Sequence, residues 1–499
     1  MPHAADDIVK AMGAATAEDR AIIERAYDFA ERAHGEEKRK SGEPYIIHPH
    51  AIAVRLATLG MDRDTIVAGL LHDVPEDTTV TAEEIEKEFG TSVRFLVDAV
   101  TKLSKLKYRG MERHVESMRR LLVATASDIR VIIIKFADRL HNMQTISALP
   151  PEKQVRIAEE TMQVYVPIAE RLGMGMMKAE LEDLAYGVLH PARAEKLATI
   201  IERRRADTDK ALDEDTKDLK KALAAAGLKK FTTQSRIKST SSLARKLTQK
   251  KTEDLDRIYD LFAMRVIVPN LDDCYRALGI VHNLWRPIPG RVKDYIAFPK
   301  PNGYRSIHTT VITRRGVTTE VQIRTPEMQQ EAEYGVASHF NYATKATRAT
   351  ATATWLQRLM PSLMKTHSKN KNAESPQWLK ELTTLEVHHP ESEGFHEMLQ
   401  QDFFAERMFA FTPKGDVIDL PVGATPIDFA YAIHSDVGNR MTGAKVNGKM
   451  TSLDTALVNG DVVEIITKKT GLPNAKWLDI AKTAGAKHHV RSALNNKRP

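Results

Sequence analysis

Cysteine is almost missing from this sequence. The 499 residues contain one, Cys274, so no disulfide can form within the chain. A cysteine-based zinc module is excluded within these residues for the same reason. A single thiol suits a reducing compartment. We interpret Cys274 as an inert buried thiol.

Long apolar runs are missing as well. The best one, VIIIKFA at residues 131–137, is broken by Lys135. It is far shorter than the roughly 18 to 20 residues that a membrane-spanning helix needs. The N-terminus, MPHAADDIVK, has acids where a secretion signal has bases. We therefore expect a cytoplasmic protein that does not enter a membrane.

The sequence also lacks a biased composition. With 42% hydrophobic and 28% charged residues, it resembles ordinary folded proteins, and its length predicts about three domains. The net charge of +7 is modest for a chain of this length. It suggests anionic ligands but does not establish nucleic-acid binding.

Two kinds of periodicity are present. Helical periodicity runs from Glu18 to about Gly227 and predicts an all-α first part. Beyond it, alternating β-branched segments such as FAMRVIVP and TTEVQIRT interleave with a helical segment, LDDCYRALGIVHNLW, which predicts an α+β region. Past about Glu406, short strands surround one predicted helix, TPIDFAYAIHSDVG, in a β-grasp-like unit.

These patterns divide the chain into five segments. Residues 346–402 include a stretch rich in Thr, Ala, Ser, Lys and Asn, which indicates a connector that is only partly helical. We expect an all-α domain with its following helices at residues 1–195, an α+β domain at 196–345, the linker at 346–402, the β-grasp unit at 403–468, and the start of a helical region at 469–499.

One apolar helix ends in polar residues. In DTIVAGLLHDVPEDT, a core-facing stripe leads into His72 and Asp73. A second apolar helix, DIRVIIIKFADRLHNM, carries Asp138, and the segment RKSGEPYIIHPH offers His48. Two imidazoles and two carboxylates suit manganese, with zinc or iron as alternatives. Because such an ion lowers the pKa of bound water, this set predicts a hydrolase.

Two acids follow the first part of this set. Pro75 would bend the backbone and turn Glu76 and Asp77 towards the same cavity, where they could transfer protons and orient water. A lone histidine on an apolar face is usually a satisfied core residue. Four metal-binding residue types in this order are much rarer by chance, so the set as a whole favours a metal site.

A basic segment, SRIKSTSSLARKLTQKK, contains no acid. If it is helical, Lys238, Ser242 and either Arg245 or Lys246 lie on one face and could hold a triphosphate. A solvated basic face is the alternative interpretation. The segment predicts an anion site only in combination with the residues that follow it.

The strand TTEVQIRT presents polar residues in a row. Its period of two places Glu320, Gln322 and Arg324 on one face, and Asp260 could supply a second carboxylate. Two carboxylates together with substrate phosphates form an ordinary magnesium site. The intervening loop segment adds cations and an aromatic ring on which a base could stack, at Arg291, Lys293, Lys300, Asn302, Tyr304 and His308.

These motifs resemble those of the RelA/SpoT homologues, which make and degrade the alarmone (p)ppGpp. YIIHPH, LLHDVPEDT and KFADRLHNM are similar to the HD hydrolase domain, the segments from SRIK to VQIR resemble the synthetase domain, and FTPKGDVIDLP with AYAIHSDVG resembles the TGS domain. The resemblance implies a multidomain chain with an all-α HD-type domain, an α+β nucleotidyltransferase-like domain and a small β-grasp domain.

The resemblance also implies roles for individual residues. In the hydrolase, Mn²⁺ would be held by His48, His72, Asp73 and Asp138, with Glu76 and Asp77 catalytic and with guanine-nucleotide contacts from Arg39, Lys40, Ser41, Asn142 and Thr145. In the synthetase, ATP would be held by Arg236, Lys238, Ser242 and Lys246, Mg²⁺ and catalysis would belong to Asp260 and Glu320, and the guanine nucleotide would contact Lys293, Lys300, Asn302, Tyr304, His308 and Gln322. In the TGS domain, His434 would contact uncharged tRNA on the ribosome.

Three functions are compatible with these patterns. The first is a bifunctional enzyme that makes (p)ppGpp from ATP and GDP or GTP and also hydrolyses it. The second is a hydrolase with a degenerate synthetase domain, and the third is a ribosome- or tRNA-binding regulator. Long members of the family continue past the equivalent of Pro499, so the sequence resembles a C-terminally short form of the long type, which is either naturally short or truncated.

A bifunctional enzyme would also need to coordinate its two sites. Running both reactions at once would waste ATP, so we expect nucleotide binding at one site to disfavour the other reaction. The helices from about Pro150 to Gly227 would transmit this effect.

Overall fold

In the computed structural model, helices fill the first part of the chain, as its apolar period predicts. The structure describes residues 4–104, 121, 128–249, 262–300, 302–340, 407–468 and 470–495. It separates into two units, residues 1–359 and 360–499. The predicted linker at 346–402 and Asp260 lie outside the described residues.

Twelve helices are described in the all-α part of the first unit. They are α1 (Asp6–Met12), α2 (Ala17–His34), α3 (Ile47–Thr58), α4 (Arg63–Leu71), α5 (Val74–Asp77), α6 (Ala82–Phe89), α7 (Thr91–Ser104), α8 (Ile129–Gln144), α9 (Pro151–Glu160), α10 (Val166–Arg171), α11 (Gly175–Leu189) and α12 (Pro191–Ala225). A short π-helical turn, Thr161–Tyr165, joins α9 to α10. The predicted domain boundary between residues 195 and 196 stays a prediction, and it lies within α12.

The helix starts follow capping rules. Thr16 and Thr81 each accept a hydrogen bond from a backbone N–H three residues on, and the acid at that position bonds back to the threonine N–H. Such boxes satisfy backbone donors that have no partner within the helix. Apolar faces then pack inwards, and Ile132, Ile133 and Ile134 of α8 are completely buried. Among the described residues, no helix combines the length and apolarity needed to cross a bilayer.

The α+β part of the first unit contains one mixed sheet. Its strands are β1 (Thr232–Ile237), β2 (Phe262–Ile267), β3 (Arg286–Pro287), β4 (Lys293–Asp294), β5 (Ile307–Ile312) and β6 (Thr318–Arg324). The strand order is β1-β2-β6-β5-β3, and β4 pairs with β5. Only β2 and β6 run parallel among these pairs. Three helices accompany the sheet: α13 (Thr240–Gln249), α14 (Leu271–Leu284) and α15 (Pro326–Tyr334).

The single cysteine lies in the core of this part. Cys274 on α14 has no exposed surface. Burial raises the pKa of its thiol to about 12, so the reactive thiolate is scarce near neutral pH. The prediction that Cys274 is buried is confirmed.

The prediction that Lys238 and Ser242 share a helical face is wrong. The first residues of the basic segment form the end of β1, and α13 begins only at Thr240, so Lys238 lies in the connection before the helix and not on a helical face with Ser242. The cause is strand pairing, because Thr232 to Ile237 pair residue by residue with β2. This long-range pairing overrides the local helical pattern.

The second unit is built from short strands and helices. They are β7 (Arg407–Phe411), β8 (Val417–Pro421), α16 (Pro426–Ile433), α17 (Ser435–Asn439), β9 (Met441–Val446), β10 (Lys449–Thr451), β11 (Val463–Thr467), α18 (Trp477–Ile480) and α19 (Ala484–Asn495). β7 pairs with β8, and β9 lies between β10 and β11. β9 and β10 form a hairpin, with Asn447 and Gly448 at positive φ in its turn.

The helix predicted in this unit is two helices. TPIDFAYAIHSDVG forms α16 and α17, and His434 between them has extended backbone, with φ of −166°. Its Nδ1 accepts a hydrogen bond of 3.1 Å from the N–H of Asp436, so the imidazole begins a new helix. A side chain that caps a helix competes with continuation of the preceding one.

The last two helices share a core with the β-grasp strands and helices. Trp477, Ala486 and Val490 pack with Ile427 and Tyr431 of α16. The buried carboxylate of Asp428 accepts hydrogen bonds from both ends of this contact, including the N–H groups of Thr425, Lys482 and Thr483. Residues 470–495 therefore form part of the same packed unit, although their pattern indicated only the start of a helical region.

Candidate active sites

Three elements of the all-α part converge on one buried cluster. His48 lies in the first turn of α3, His72 follows α4, and Asp138 lies on α8. One potential ligand atom from each of these three residues lies within 4.8 Å of the others. Asp73 Oδ2 is 3.5 Å from His48 Nε2 and 3.1 Å from His72 Nε2. The structure thus brings the four predicted metal ligands together.

The orientation of His72 suits a metal ligand. Its Nδ1 donates to the carbonyl oxygen of Gly69 at 2.9 Å, which directs Nε2 into the cluster. Among the described residues, Nε2 is buried without a hydrogen-bond partner, although Asp73 Oδ2 lies 3.1 Å away. Buried polar atoms are rarely left in this state. A buried His-His-Asp donor set with an orphaned imidazole nitrogen fits a divalent transition metal.

A second layer of groups orients these ligands. His48 Nδ1 lies 2.9 Å from His141 Nδ1 and 3.2 Å from Arg39 Nη1, while His48 Nε2 faces the carboxylates of Asp73 and Asp138. Asp138 accepts hydrogen bonds from Lys135 Nζ at 2.5 Å and from Asn142 Nδ2 at 2.6 Å. The lysine and the asparagine hold different oxygens, so the carboxylate cannot rotate freely.

The charges in this cluster support ionised carboxylates. Burial opposes ionisation of Asp73, but His72 and His48 outweigh burial and hold its pKa well below the usual range. Burial is likewise outweighed at Asp138, chiefly by Lys135, and its pKa is also lowered. Burial, together with the charges of His48 and Arg39, lowers the pKa of His141 to about 4. Both carboxylates are therefore held in the anionic form that metal binding requires. Burial lowers the pKa of His72, but Asp73 outweighs burial and raises it, so a bound ion would have to displace a proton from this imidazole.

Tyr45 is a site residue that the sequence analysis missed. Its hydroxyl lies 3.0 Å from Asp73 Oδ2 and 2.7 Å from Asp77 Oδ2. Its ring stacks on His34 with centroids 4.4 Å apart. Tyr45 therefore links a predicted metal ligand to a predicted proton-transfer residue. The only signal in the sequence is its place three residues before His48 in YIIHP.

The predicted guanine-nucleotide residues of this site lie around its rim. Arg39 donates to His141 Nδ1 at 2.9 Å and to Asn142 Oδ1 at 2.8 Å. Lys40 and Ser41 are exposed beside it. The Thr145 hydroxyl donates to the His141 carbonyl oxygen at 3.0 Å, and Glu76 is exposed on α5. Pro75 does not simply bend a helix, because it lies in the first turn of the new helix α5.

A second polar cluster lies on the sheet. Glu320, Gln322 and Arg324 share one face of β6, as the strand period predicts, while Val321 and Ile323 are fully buried on the other face. Gln322 Nε2 donates to Glu320 Oε2 at 2.9 Å, and Arg324 Nη2 donates to Gln322 Oε1 at 2.6 Å. Burial opposes ionisation of Glu320, but His308 and Lys238 outweigh burial and lower its pKa.

The segment before β5 completes this cluster. The Tyr304 hydroxyl lies 2.7 Å from His308 Nε2, and His308 Nδ1 lies 3.3 Å from Glu320 Oε1. Lys300 Nζ lies 5.0 Å from the ring centre of Tyr295 and 5.4 Å from that of Tyr304. Lys293 on β4 is in register with His308. Asn302 donates to the Glu170 carbonyl oxygen at 2.9 Å.

The predicted ATP residues lie at the connection between β1 and α13. Arg236 is on β1, Lys238 follows it, and Ser242 and Lys246 are on α13. Burial lowers the pKa of Arg236 and of Lys238, and the Arg265 guanidinium also lowers that of Arg236. Clustered cations with lowered pKa values indicate a surface that would be stabilised by an anion.

A cavity of about 530 Å³ adjoins both groups of residues. Its walls include Arg236, Arg265, Tyr304, Gln322 and Arg324 on the sheet side. Residues of α11, among them Lys178 and Asp183, form the opposite wall. Arg265 was not predicted; it pairs with Glu333 at 2.9 Å. The volume is that of a nucleotide-sized ligand pocket.

In the second unit, His434 is exposed. Its Nδ1 is committed to the cap of α17. The ring is therefore held in place while Nε2 remains on the outer side. This is the geometry of a surface imidazole that can contact a ligand, and it is equally that of an ordinary cap.

Three regions of the chain match known domain families. Residues 26–175 match the HD domain, residues 235–347 match the region found in RelA and SpoT proteins, and residues 408–467 match the TGS domain. Together with the observed helices, mixed sheet and small β-grasp unit, these matches confirm the predicted fold class.

Relatives match along almost the whole chain. It is 43% identical over 478 residues to a probable guanosine-3′,5′-bis(diphosphate) 3′-pyrophosphohydrolase of Synechocystis sp., covering 96% of this chain and 61% of the relative. It is 44% identical over 478 residues to a GTP pyrophosphokinase of Streptomyces coelicolor, covering 95% and 56%. It is 41% identical over 475 residues to the bifunctional (p)ppGpp synthase/hydrolase SpoT of Escherichia coli, covering 95% and 65%. The chain therefore spans less than two thirds of each of these relatives.

Proposed function

Because the chain is a homologue of the RelA/SpoT proteins over nearly its whole length, we propose that it is a bifunctional alarmone enzyme. It would transfer the β,γ-pyrophosphate of ATP to the 3′-hydroxyl of GDP or GTP. It would also hydrolyse (p)ppGpp to GDP or GTP and pyrophosphate. The observation that carries this proposal is the presence of two separate polar clusters in one compact unit, one rich in metal ligands and one rich in cations.

Hydrolysis would take place at His48, His72, Asp73 and Asp138, with Mn²⁺ as the proposed ion. A divalent ion bound there would lower the pKa of a water molecule and withdraw charge from the phosphate. Asp77, fixed by Tyr45, would accept the proton of the attacking water, and the exposed Glu76 would help to orient the substrate phosphates. Arg39 would hold the nucleotide at the rim, together with Lys40, Ser41, Asn142 and Thr145.

Synthesis would take place in the cavity beside β6. Arg236, Lys238, Ser242 and Lys246 would hold the ATP phosphates, and Tyr304 would stack on the acceptor guanine. We assign Mg²⁺ to Glu320 and Asp260, and Asp260 lies outside the described residues. Lys293, Lys300, Asn302, His308 and Gln322 would surround the acceptor. Transfer of a pyrophosphoryl group depends on charge neutralisation and alignment, which this density of cations would supply.

We further propose that the second unit binds uncharged tRNA on the ribosome through His434. The match to a TGS domain and the exposed, immobilised imidazole support this role. Binding of tRNA by a His434→Ala variant should be weaker by about 5-fold or more if the ring contacts the RNA. Unchanged binding would leave the TGS unit without this function.

Paired assays on the full chain test the two activities. ATP and GDP with Mg²⁺ should yield ppGpp and AMP, and ppGpp with Mn²⁺ should yield GDP and pyrophosphate. His72→Ala should abolish hydrolysis and spare synthesis, and Glu320→Gln should do the reverse. Hydrolysis without synthesis would support the alternative of a degenerate synthetase domain. Loss of both reactions in the wild-type chain, with tRNA binding retained, would support the regulator.

A further inference from the structure

Arg324 is an unusual residue to bury. Among the residues that the structure describes, it is the largest of the fully buried side chains, with 2% of its surface exposed, although a guanidinium keeps its charge in proteins. Its Nε is buried without a hydrogen-bond partner among the described residues. An apolar side chain of similar volume would avoid this desolvation cost. The fold alone therefore gives no reason for an arginine at this position.

The contacts of Arg324 suggest what it does. A single nitrogen, Nη2, donates to the Tyr304 hydroxyl at 2.9 Å and to Gln322 Oε1 at 2.6 Å. The guanidinium carbon also lies 5.3 Å from the centre of the Tyr304 ring, within the range of a cation–π interaction. One cation thus holds two side chains that come from different strands or loops.

Two chains of hydrogen bonds leave Arg324 and meet again. In one, Tyr304 accepts from Arg324 and donates to His308 Nε2, whose Nδ1–H points to Glu320. In the other, Gln322 accepts from Arg324 and donates to Glu320. Burial lowers the pKa of His308, so the imidazole is neutral and can accept at Nε2 while donating at Nδ1. Every donor and acceptor in both chains then has a consistent direction.

We propose that Arg324 is a positioning residue for the acceptor guanine nucleotide, which it affects by fixing Tyr304 and Gln322 and, through them, Glu320. This inference rests on the proposed synthetase function. Arg324 and Arg236 line the same cavity, but the hydrogen bonds of Arg324 Nη2 go to Tyr304 and Gln322, which are predicted to contact the acceptor and not ATP. Loss of Arg324 should therefore impair use of GDP much more than use of ATP.

Steady-state synthesis of ppGpp by Arg324→Lys and Arg324→Met variants of the full chain tests whether Arg324 affects the use of GDP more than the use of ATP. KM for GDP should rise about 10-fold in Arg324→Met and less in Arg324→Lys, which keeps one charged donor, while KM for ATP should stay within about 2-fold. Arg314→Lys is a matched control, because Arg314 is exposed on the same hairpin. Hydrolysis of ppGpp by each variant reports whether the shared compact unit remains folded.

A double-mutant cycle with Tyr304→Phe separates positioning from a general loss of stability. If Arg324 acts through the tyrosine hydroxyl, the Arg324→Met and Tyr304→Phe effects on KM for GDP should overlap, giving about 10- to 30-fold for the pair and not about 100-fold. Equal increases in KM for both substrates, or independent multiplication of the two effects, would overturn the inference.

Calorimetric measurement of GDP binding to the same proteins distinguishes failure of the synthetase proposal from failure of the proposed role of Arg324. A wild-type chain that neither makes ppGpp nor binds GDP would overturn the synthetase function and this inference together. Normal synthesis by the wild type, with an unmoved KM for GDP in Arg324→Met, would overturn only the role of Arg324.

Discussion

Tyr45 contacts both a proposed metal ligand, Asp73, and the proposed proton-transfer residue, Asp77. One hydroxyl has a single proton, yet Tyr45 lies within hydrogen-bond distance of Asp73 and Asp77. The contact with Asp77 is the shorter, so the proton is best assigned to it. When Asp73 binds a metal, the hydroxyl oxygen remains close to it without needing to donate. Tyr45 can therefore hold Asp77 in place while Asp73 serves as a ligand.

Tyr45→Phe should slow hydrolysis without removing the metal. We expect kcat for ppGpp hydrolysis to fall about 10-fold, because Asp77 loses its fixed orientation. Affinity for Mn²⁺, followed by electron paramagnetic resonance of the free ion, should change by less than about 3-fold, because all four ligands remain.

Tyr275→Phe is the matched control for this prediction. Tyr275 also donates to an aspartate, Asp294 at 2.9 Å, but in the α+β part, so its loss should leave hydrolysis unchanged. A loss of Mn²⁺ affinity in Tyr45→Phe as large as the loss of kcat would show that Tyr45 acts on the metal site and not on Asp77.

A backbone contact joins the all-α and α+β parts of the first unit. The loop between α10 and α11 lies directly against the turn that follows α15, where the Val336 N–H donates to the Leu172 carbonyl oxygen at 3.0 Å. Gly335 has φ of 55°, and a Cβ there would lie 2.2 Å from the Leu172 carbonyl oxygen and 2.6 Å from the Met174 nitrogen. These are backbone atoms, which cannot rotate away as a side chain can.

Gly335→Ala should therefore destabilise the first unit strongly. The left-handed conformation alone costs an alanine about 1 to 2 kcal/mol, and the overlap with backbone adds to it, so we expect a loss above about 3 kcal/mol in denaturant unfolding. Gly316→Ala is the control, with φ of 76° and nothing within 4 Å of the added carbon. It should cost only the conformational part. Equal losses in the two variants would mean that the α15 turn and the α10–α11 loop separate easily.

In the second unit, Asp428 joins α16 to the start of α19. Its carboxylate accepts hydrogen bonds from the N–H groups of Thr425, Lys482 and Thr483. It also accepts from the hydroxyls of Thr425 and Thr483. Asp428 has 1% of its surface exposed, so water cannot replace a lost acceptor. Removing the carboxylate would leave several buried donors unsatisfied.

Asp428→Ala should lower the free energy of unfolding of the second unit by about 3 kcal/mol or more. For a unit of this size the midpoint of its thermal transition should fall by about 12 °C or more. Limited proteolysis should then release residues 470–495 early. Asp454→Asn, at an exposed position, should leave both measurements unchanged. A stable Asp428→Ala unit would mean that the apolar contacts of Trp477 and Val490 alone hold these helices.

Sequence patterns predicted the helices and strands whose conformation is determined by the residues within them. The amphipathic helices of the first part and the polar face of β6 follow from the periodicity of the sequence. The sequence pattern gave a wrong prediction where pairing with a distant strand determines the structure. This happened at Lys238, because the residues just before it pair with β2. The cluster of candidate metal ligands could be proposed from the sequence because His and Asp at these places are residue types that bind metals. Tyr45 could not be, because hydroxyl contacts across helices leave no periodic signal.

Within the first unit, α11 lies between the two proposed sites. Its Glu182 accepts from Arg245 at 2.6 Å, and Asp183 accepts from the Ser241 N–H at 3.0 Å, in the first turn of α13. A helix N-terminus beside basic side chains attracts anions, and here carboxylates of another helix occupy part of that position. ATP phosphates held by α13 would therefore have to compete with α11. This competition gives the expected coupling between the two sites a physical form.

Asp183→Asn should consequently favour ATP binding. With the carboxylate neutralised, KM for ATP in ppGpp synthesis should fall about 3- to 10-fold, and the effect should shrink at high salt because it is electrostatic. Glu180→Gln is the control: it removes the same charge from the same helix, but Glu180 pairs with Arg55 of α3 and not with α13. If Glu180→Gln lowered KM equally, the effect would be one of general charge. If KM rose in Asp183→Asn, the carboxylate would be a cap that α13 needs in order to bind ATP, and α11 would assist synthesis instead of restraining it.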